Sequence, residues 1–152
     1  MQKEEILQVA LRMLSRKMQS EGELRKKLSR MFPENEKEQE EVLSECRRLK
    51  LIDDEKFARE YVQYRQHTSP RSAFFLQCEL ENRGILSELA HRVAQEEDDE
   101  QTARDLVQRK MRVIKVIDQK EQEKIIRFLR SRGFSFSTIQ KAISCEEQGE
   151  IL

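Results

Sequence analysis

Residues able to do covalent or metal chemistry are few and scattered. The cysteines are Cys46, Cys78 and Cys145. They are odd in number, widely separated and in no CxxC arrangement, so their spacing fits neither a zinc site nor a disulfide framework. They read as small core or surface residues in a reducing compartment. His67 and His91 are the only histidines, and neither lies in an HExxH pattern. No phosphate-cradling glycine loop and no GxSxG elbow occurs. The run Glu96, Glu97, Asp98, Asp99, Glu100 is the densest acidic stretch. Consecutive carboxylates on a helix point in different directions, so it reads as a solvated linker or helix end. No catalytic residue, cofactor or metal is expected, and the chain reads as a non-enzyme.

Charge is more informative. The 29 basic and 29 acidic side chains cancel, which alone would argue against a polyanionic partner. Their order is basic, acidic, basic, acidic. Residues 101–143 hold eleven basic against four acidic side chains. Opposed blocks on a neutral chain still create a local positive field. Two basic groups stand out as partner-binding candidates. Arg109, Lys110, Arg112 and Lys115, followed by Lys124, Arg127, Arg130 and Arg132, form the larger. Arg25, Lys26, Lys27 and Arg30 form the smaller. Long cations can pair with carboxylates or with phosphates. The alternative is a solvated helix face, favoured at helix C-termini by the macrodipole.

The elements that would carry these residues are helices. With 152 residues, 4 glycines, 2 prolines, no Trp and a mean hydropathy of -0.82, the chain is built for helix and has a thin core. No apolar run approaches the roughly 18 residues of a membrane span, and the start MQKEEILQVA lacks a signal-peptide core, so a cytoplasmic protein is the default expectation. Ile6, Val9, Ala10, Met13 and Leu14 make a helical stripe. Ser20 and Glu23 form a capping box ahead of Leu24, Leu28 and Met31, which Pro33 stops. Val42, Leu43, Cys46 and Leu49 line a third helix.

The cycle then recurs. Asp53 or Asp54 caps a helix with Phe57, Ala58, Tyr61 and Val62. Ser69-Pro70 reads as N-cap and first helical residue of a helix with Ala73, Leu76 and Leu80, closed at Gly84. Ser87 caps a sixth helix with Leu89, Ala90 and Val93. In the third cycle come Ala103, Leu106, Val107, Met111 and Ile114; then Ile125, Phe128 and Leu129, closed by Gly133; then Ile139, Ala142 and Ile143, capped by Ser135 or Ser137. Leu24 aligns with Leu76 and Ile125, and Arg83-Gly84 with Arg132-Gly133. The expectation is an all-α tandem repeat of three three-helix units, elongated and curved. Its divisions fall at residues 1–52, 53–97 and 98–145, with 146–152 as a short tail.

Four local signatures in this order resemble the RecX family of bacterial recombination regulators. They are Ser20-Glu21-Gly22-Glu23-Leu24 with Leu28; Ile52-Asp53-Asp54-Glu55-Lys56-Phe57-Ala58; Glu79-Leu80 with Arg83-Gly84-Ile85; and Phe128-Leu129-Arg130-Ser131-Arg132-Gly133-Phe134-Ser135 with Ile139. Together they span about residues 6–143. The chain departs from the pattern where Met31-Phe32-Pro33 and Ser69-Pro70 replace family glycines at turns. The resemblance implies a cytoplasmic, monomeric helical protein that binds the RecA filament on single-stranded DNA. It implies modulation, mostly inhibition, of ATPase, strand-exchange and co-protease activities in DNA repair, recombination and the SOS response, with DNA itself as a further partner. The matched residues Ser20, Glu23, Leu24, Asp53, Asp54, Phe57, Ala58, Gly84, Gly133 and Phe134 also read as caps and core, so they identify a scaffold rather than a surface. A helical DNA-binding module acting through its basic faces, with no recombinase, is the alternative; steep salt dependence without a recombinase would mark it.

Overall fold

The computed structural model describes residues 2–114 and 118–151, with side chains through Glu146. Among these residues there are nine helices and no strand: α1 (Gln2–Arg16), α2 (Glu21–Met31), α3 (Glu36–Arg48), α4 (Asp54–Thr68), α5 (Ala73–Asn82), α6 (Ser87–Ala94), α7 (Asp99–Val113), α8 (Gln119–Ser131) and α9 (Phe136–Ile151). This is an all-α helical repeat fold. Two compact units divide the chain: Met1–Tyr61 with Glu79–Ala90, and Val62–Cys78 with His91–Leu152. The division passes through α4, α5 and α6.

The stripes expected from spacing form the cores. In the first unit Ile6, Ala10, Leu24, Leu28, Val42, Leu43, Cys46 and Ile52 pack together. In the second, Ala103, Leu106, Val107, Ile125, Leu129, Phe134, Ile139, Ala142 and Ile143 do so. Phe57, Ala58, Leu76 and Leu80 are also buried. Two stripe members fall outside. Met31 and Leu49 sit at helix ends, where the stripe rotates away from the core, and are 51% and 48% exposed. Cys46 is buried, which pushes its thiol pKa up, whereas Cys145 is exposed.

The helix ends explain the motif residues. Ser20 accepts from the amide of Glu23 at 3.0 Å, and the Glu23 carboxylate accepts from the amide of Ser20 at 3.2 Å. Gly84 and Gly133 have φ of 85° and 90°. The next amides, of Ile85 and Phe134, reach back to the carbonyls of Leu80 and Leu129 at 3.0 and 3.2 Å. These are glycine-closed C-termini with Ile85 and Phe134 turned into the core. At the end of α3 the same turn is made by Lys50, with φ 57° and the amide of Leu51 on the carbonyl of Cys46 at 2.9 Å.

Four expected caps are corrected or resolved. The hydroxyl of Ser72, not Ser69, accepts from the third amide on, that of Phe75, at 3.1 Å. Ser69 instead extends α4, its amide bonded to the carbonyl of Arg65 at 2.7 Å. Ser87 is the first residue of α6 rather than its cap, since the helical ladder begins one residue earlier with the amide of Ala90 on the carbonyl of Leu86 at 2.9 Å. Of the two candidates before α9, Ser135 takes the role, accepting from the amide of Thr138 at 3.1 Å. Likewise Asp53 caps α4, accepting from the amide of Lys56 at 3.2 Å. That frees Asp54 for a different task. Its carboxylate accepts from the first amide of α2, that of Glu21, at 2.9 Å.

The arrangement occurs twice. Asp98 caps its own helix α7, and the next residue, Asp99, accepts from the first amide of α5, that of Ala73, at 2.8 Å. The glycine turns complete each junction. The hydroxyl of Ser20 donates to the carbonyl of Arg83 at 2.5 Å, and the amide of Ser72 donates to the carbonyl of Arg132 at 3.0 Å. A Cβ on Gly22 would lie 2.5 Å from the oxygen of Gly84, and one on Gly133 would collide with the hydroxyl of Ser72. Each unit thus holds one junction, in which a helix start is gripped by an aspartate and a glycine turn from further along the chain. Of the two readings of the acidic run, the helix end holds and the solvated linker does not: Asp98 to Glu100 start α7, Glu97 accepts from Gln66 at 3.2 Å, and Glu100 pairs with Lys141 at 3.1 Å.

The caps and turns carry measurable stability. Lys50→Gly should stabilise the chain by about 1 kcal/mol in urea unfolding, because a left-handed residue with a side chain costs about 1–2 kcal/mol. For Asp54, burial raises the pKa and is the largest effect; the bond from Glu21 lowers it, and the charges of Glu21, Asp53 and Glu23 raise it further. Desolvation outweighs the bond, so a neutral acceptor should serve. Asp54→Ala should cost about 1 kcal/mol, and Asp54→Asn less than about half of that. A raised folded pKa means the folded chain holds the proton more tightly than the unfolded chain. The associated stabilisation is fully present below the unfolded pKa and lost as pH rises through the folded one. On acidification from about pH 7 to about pH 4.5, the stability of the parent relative to Asp54→Asn should therefore rise; a fall would mean that the folded pKa is lowered instead.

Candidate partner-binding surface

The eight cations of the third cycle do not form one face. The side chains of Leu106, Arg109, Lys110 and Val113 share one side of α7 by helical spacing, and Arg112 lies off it. On α8, Ile125 and Leu129 point into the core, Phe128 flanks them, and Arg127 and Arg130 are exposed. Lys124 is exposed and pairs with Glu121 at 3.5 Å. Lys115 lies outside the described residues.

Three of the cations converge. A cleft of about 330 Å³ is lined by Thr68, Ser69, Pro70, Leu106, Arg109, Lys110, Val113, Phe128 and Arg132. The Lys110 ammonium is 4.2 Å from the centre of the Phe128 ring, and the Arg132 guanidinium carbon is 5.2 Å from it. Both distances lie within the range of a cation–π attraction. The Arg132 guanidinium also donates to the hydroxyl of Ser69, which in turn accepts from Arg71 at 2.8 Å. Among the described residues no carboxylate pairs with Arg109, Lys110 or Arg132. By contrast Arg25 pairs with Glu21 at 3.5 Å and with Glu40, and Arg48 pairs with Glu45 at 2.5 Å.

The junction positions this cluster. Gly133 turns the chain so that the carbonyl of Arg132 meets the amide of Ser72, which sets Arg132 beside the segment 69–71. Arg71 is held there by its amide bond to the Gln66 side chain at 2.9 Å and by its own bond to the carbonyl of Ser69 at 3.0 Å. Sequence reading missed Ser69, Phe128 and Val113 as parts of the surface. Ser69 looked like a cap and Phe128 like core, and no local spacing links residues 69, 110 and 128.

The smaller basic group is less available. Arg25 is neutralised by its two glutamates, and Lys27 donates to Gln19 at 2.8 Å. Lys26 and Arg30 are exposed. In the first unit a further cation, Arg83, pairs with Glu23 at 2.9 Å and lies 5.8 and 5.6 Å from the rings of Phe57 and Tyr61. It is the counterpart of Arg132 in its junction, and there the charge is consumed by the fold. His67 is exposed, and His91 is bonded to Gln77 at 3.0 Å. Among the described residues no helix is long and apolar enough to cross a membrane.

A cationic cleft lies between α7, α8 and the segment 68–70, and the motif residues build the junctions of this helical repeat. The similarities to known proteins agree on its class. The first three-helix domain of RecX matches residues 7–46, and the third three-helix domain of RecX matches residues 96–143. Regulatory protein RecX of Chlorobium limicola is 32% identical over 143 residues, covering 93% of this chain and 89% of the relative. Regulatory protein RecX of Vibrio campbellii is 30% identical over 146 residues, covering 93% and 91%. In fold, the crystal structure of RecX from Lactobacillus salivarius is similar with a TM-score of 0.80 at 23% identity, covering 93% of this chain and 94% of that one. The chain belongs to the RecX family of regulatory proteins.

The cleft has a direct spectroscopic signature. The ε-methylene protons of Lys110 should resonate upfield of a free lysine because they lie near the face of Phe128, and Phe128→Leu should return them to the free position. Free-lysine shifts in the parent protein would mean that the cation–ring contact does not form in solution.

Proposed function

We propose that this chain binds the RecA recombinase filament on single-stranded DNA and lowers its ATPase, strand-exchange and co-protease activities, as a cytoplasmic single-chain regulator of repair, recombination and the SOS response. The observation that carries the reading is family membership across nearly the whole chain, with four ordered signatures resting on junction and core residues. The reading divides the chain into repeats at residues 1–52, 53–97 and 98–145, with 146–152 as a tail. Several weak contacts made by successive repeats add through effective concentration, which suits a filament of repeated subunits. The exposed Arg112, Arg127 and Arg130 are the residues assigned to carboxylates of the filament protein, and Lys26 and Arg30 supply a second such group.

The test is recombinase ATPase on single-stranded DNA, titrated with this protein. Inhibition at substoichiometric amounts is expected. Exposed ion pairs contribute about 0.2–1 kcal/mol each, so a single truncation moves the curve little and the double variant Arg127→Glu with Arg130→Glu is the informative one. The double reversal should shift the titration to higher concentration and flatten its salt dependence without changing helicity. Unchanged ATPase at a molar excess of the protein would reject the filament reading.

A further inference from the structure

We propose that Phe75 is a specificity-determining residue: it stands where the first junction has a glutamate, and so keeps Arg132 available to an anionic group of the filament. This rests on the filament reading for the partner. It adds the arginine that meets the partner and the residue that leaves that arginine without a carboxylate.

The two junctions correspond residue by residue. Ser20 and Ser72 cap α2 and α5, accepting from the amides of Glu23 and Phe75 at 3.0 and 3.1 Å. Asp54 and Asp99 grip the first amides of the same helices. Arg83 and Arg132 each precede a glycine of positive φ. Each offers its carbonyl to the cap serine, to the hydroxyl of Ser20 at 2.5 Å and to the amide of Ser72 at 3.0 Å. Positions 23 and 75 therefore hold the same place relative to the arginine. In the first junction the Glu23 carboxylate accepts from the Arg83 Nε at 2.9 Å. In the second, the ring of Phe75 lies against Gly133, where an added Cβ would be 2.5 Å from it. Arg132 turns instead to the Ser69 hydroxyl and to Phe128, 5.2 Å from the ring centre. Among the described residues no carboxylate pairs with it.

The contacts Arg132 makes orient it without cancelling its charge, because a hydroxyl and a ring face are neutral partners. Holding a long side chain in place before binding reduces the rotamer entropy lost on binding. A guanidinium with its charge intact then meets an anion through charge-assisted bonds, about twice as strong as neutral ones. Local stability would favour a glutamate at position 75. Residue 75 is the third of α5, is half-buried, and has its amide already bonded by Ser72. A carboxylate there would complete the reciprocal box that Ser20 and Glu23 form, at the positive end of the helix. Phe75 forgoes that gain, and a local preference given up in this way marks a functional position.

The decisive variant is Phe75→Glu in the full chain, read in two ways. In an NMR titration the introduced carboxylate should have a pKa lowered by Arg132, so that adding Arg132→Gln raises it. A merely structural role of Phe75 would give no such dependence, and no change on adding Arg132→Gln would overturn the inference. In the recombinase ATPase titration, Phe75→Glu and Arg132→Gln should each raise the half-inhibiting concentration by about two- to fivefold, the range of one exposed ion pair. The double variant should lose no more than either, since both changes withdraw the same arginine. Phe75→Gln removes the same ring without adding charge and should inhibit as the parent does. Equal loss in Phe75→Gln and Phe75→Glu would make the ring a packing residue and overturn the inference. Additive loss in the double variant, or parent-like inhibition by Arg132→Gln, would overturn it too. Helicity and melting are measured for each variant, and Arg132→Gln, which leaves α5 untouched, decides the matter if the substitutions at 75 do not fold. A parent chain that does not inhibit would reject the filament reading and the use of Arg132 together; a carboxylate at 75 that still responds to Arg132 would place that failure in the partner and not in the junction.

Discussion

The first amides of a helix have no partner within it, and the way two of them are satisfied organises this molecule. At α2 and at α5, one first-turn amide is bonded by the helix's own serine and another by an aspartate drawn from a later helix. Each aspartate is adjacent to a second one that caps its own helix. The doublets Asp53-Asp54 and Asp98-Asp99 therefore each tie two helix starts together, one locally and one across the unit. Neither residue of a doublet could do both jobs, because successive side chains on a helix start diverge. A glycine turn closes the same junction from the other side, and its tight approach leaves no room for a Cβ.

The electrostatics of this tie are closely balanced. Asp54 and Asp99 are drawn out of water far enough that burial raises their pKa despite the bond each accepts from a backbone amide. The tie therefore depends more on its geometry than on its charge. Two cations of the second unit, Lys110 and Arg132, are by contrast left without carboxylates among the described residues and gathered over an aromatic ring. The two junctions use corresponding arginines differently. Arg83 is absorbed by Glu23, whereas at the position corresponding to Glu23 the second junction has Phe75, which packs against Gly133. Arg132 has no carboxylate to meet there and turns to Ser69 and Phe128. One difference between repeats thus converts a structural cation into an available one.

Regulation does not require a reacting constellation. A fold that fixes its helix starts with internal carboxylates places acidic residues inside and near its junctions. The neutral net charge of the chain then conceals unneutralised cations elsewhere. Charge blocks along the sequence record this only coarsely, since the eleven basic residues of 101–143 include paired, solvated and convergent members.

Helix count, the stripes of Ile6, Leu24, Leu43, Leu76, Leu106, Leu129 and Ile139, the capping box at Ser20 and the glycine closures at Gly84 and Gly133 were determined by the sequence itself. Each depends on neighbours within one or two turns, and spacing records such neighbours faithfully. The four ordered signatures likewise carried the family. Which aspartate of the 53–54 doublet caps its own helix was not determined locally, because both can cap and the choice turns on Glu21, 33 residues away. Ser69 against Ser72 was decided the same way, by the pull of Arg132 on the loop. The cationic cleft was decided by tertiary structure: Phe128 and Arg132 lie one turn apart at the end of α8, but residues 69 and 110 share no helical period with them, and only the packing of α7 on α8 beside the 69–72 turn brings the side chains to one place.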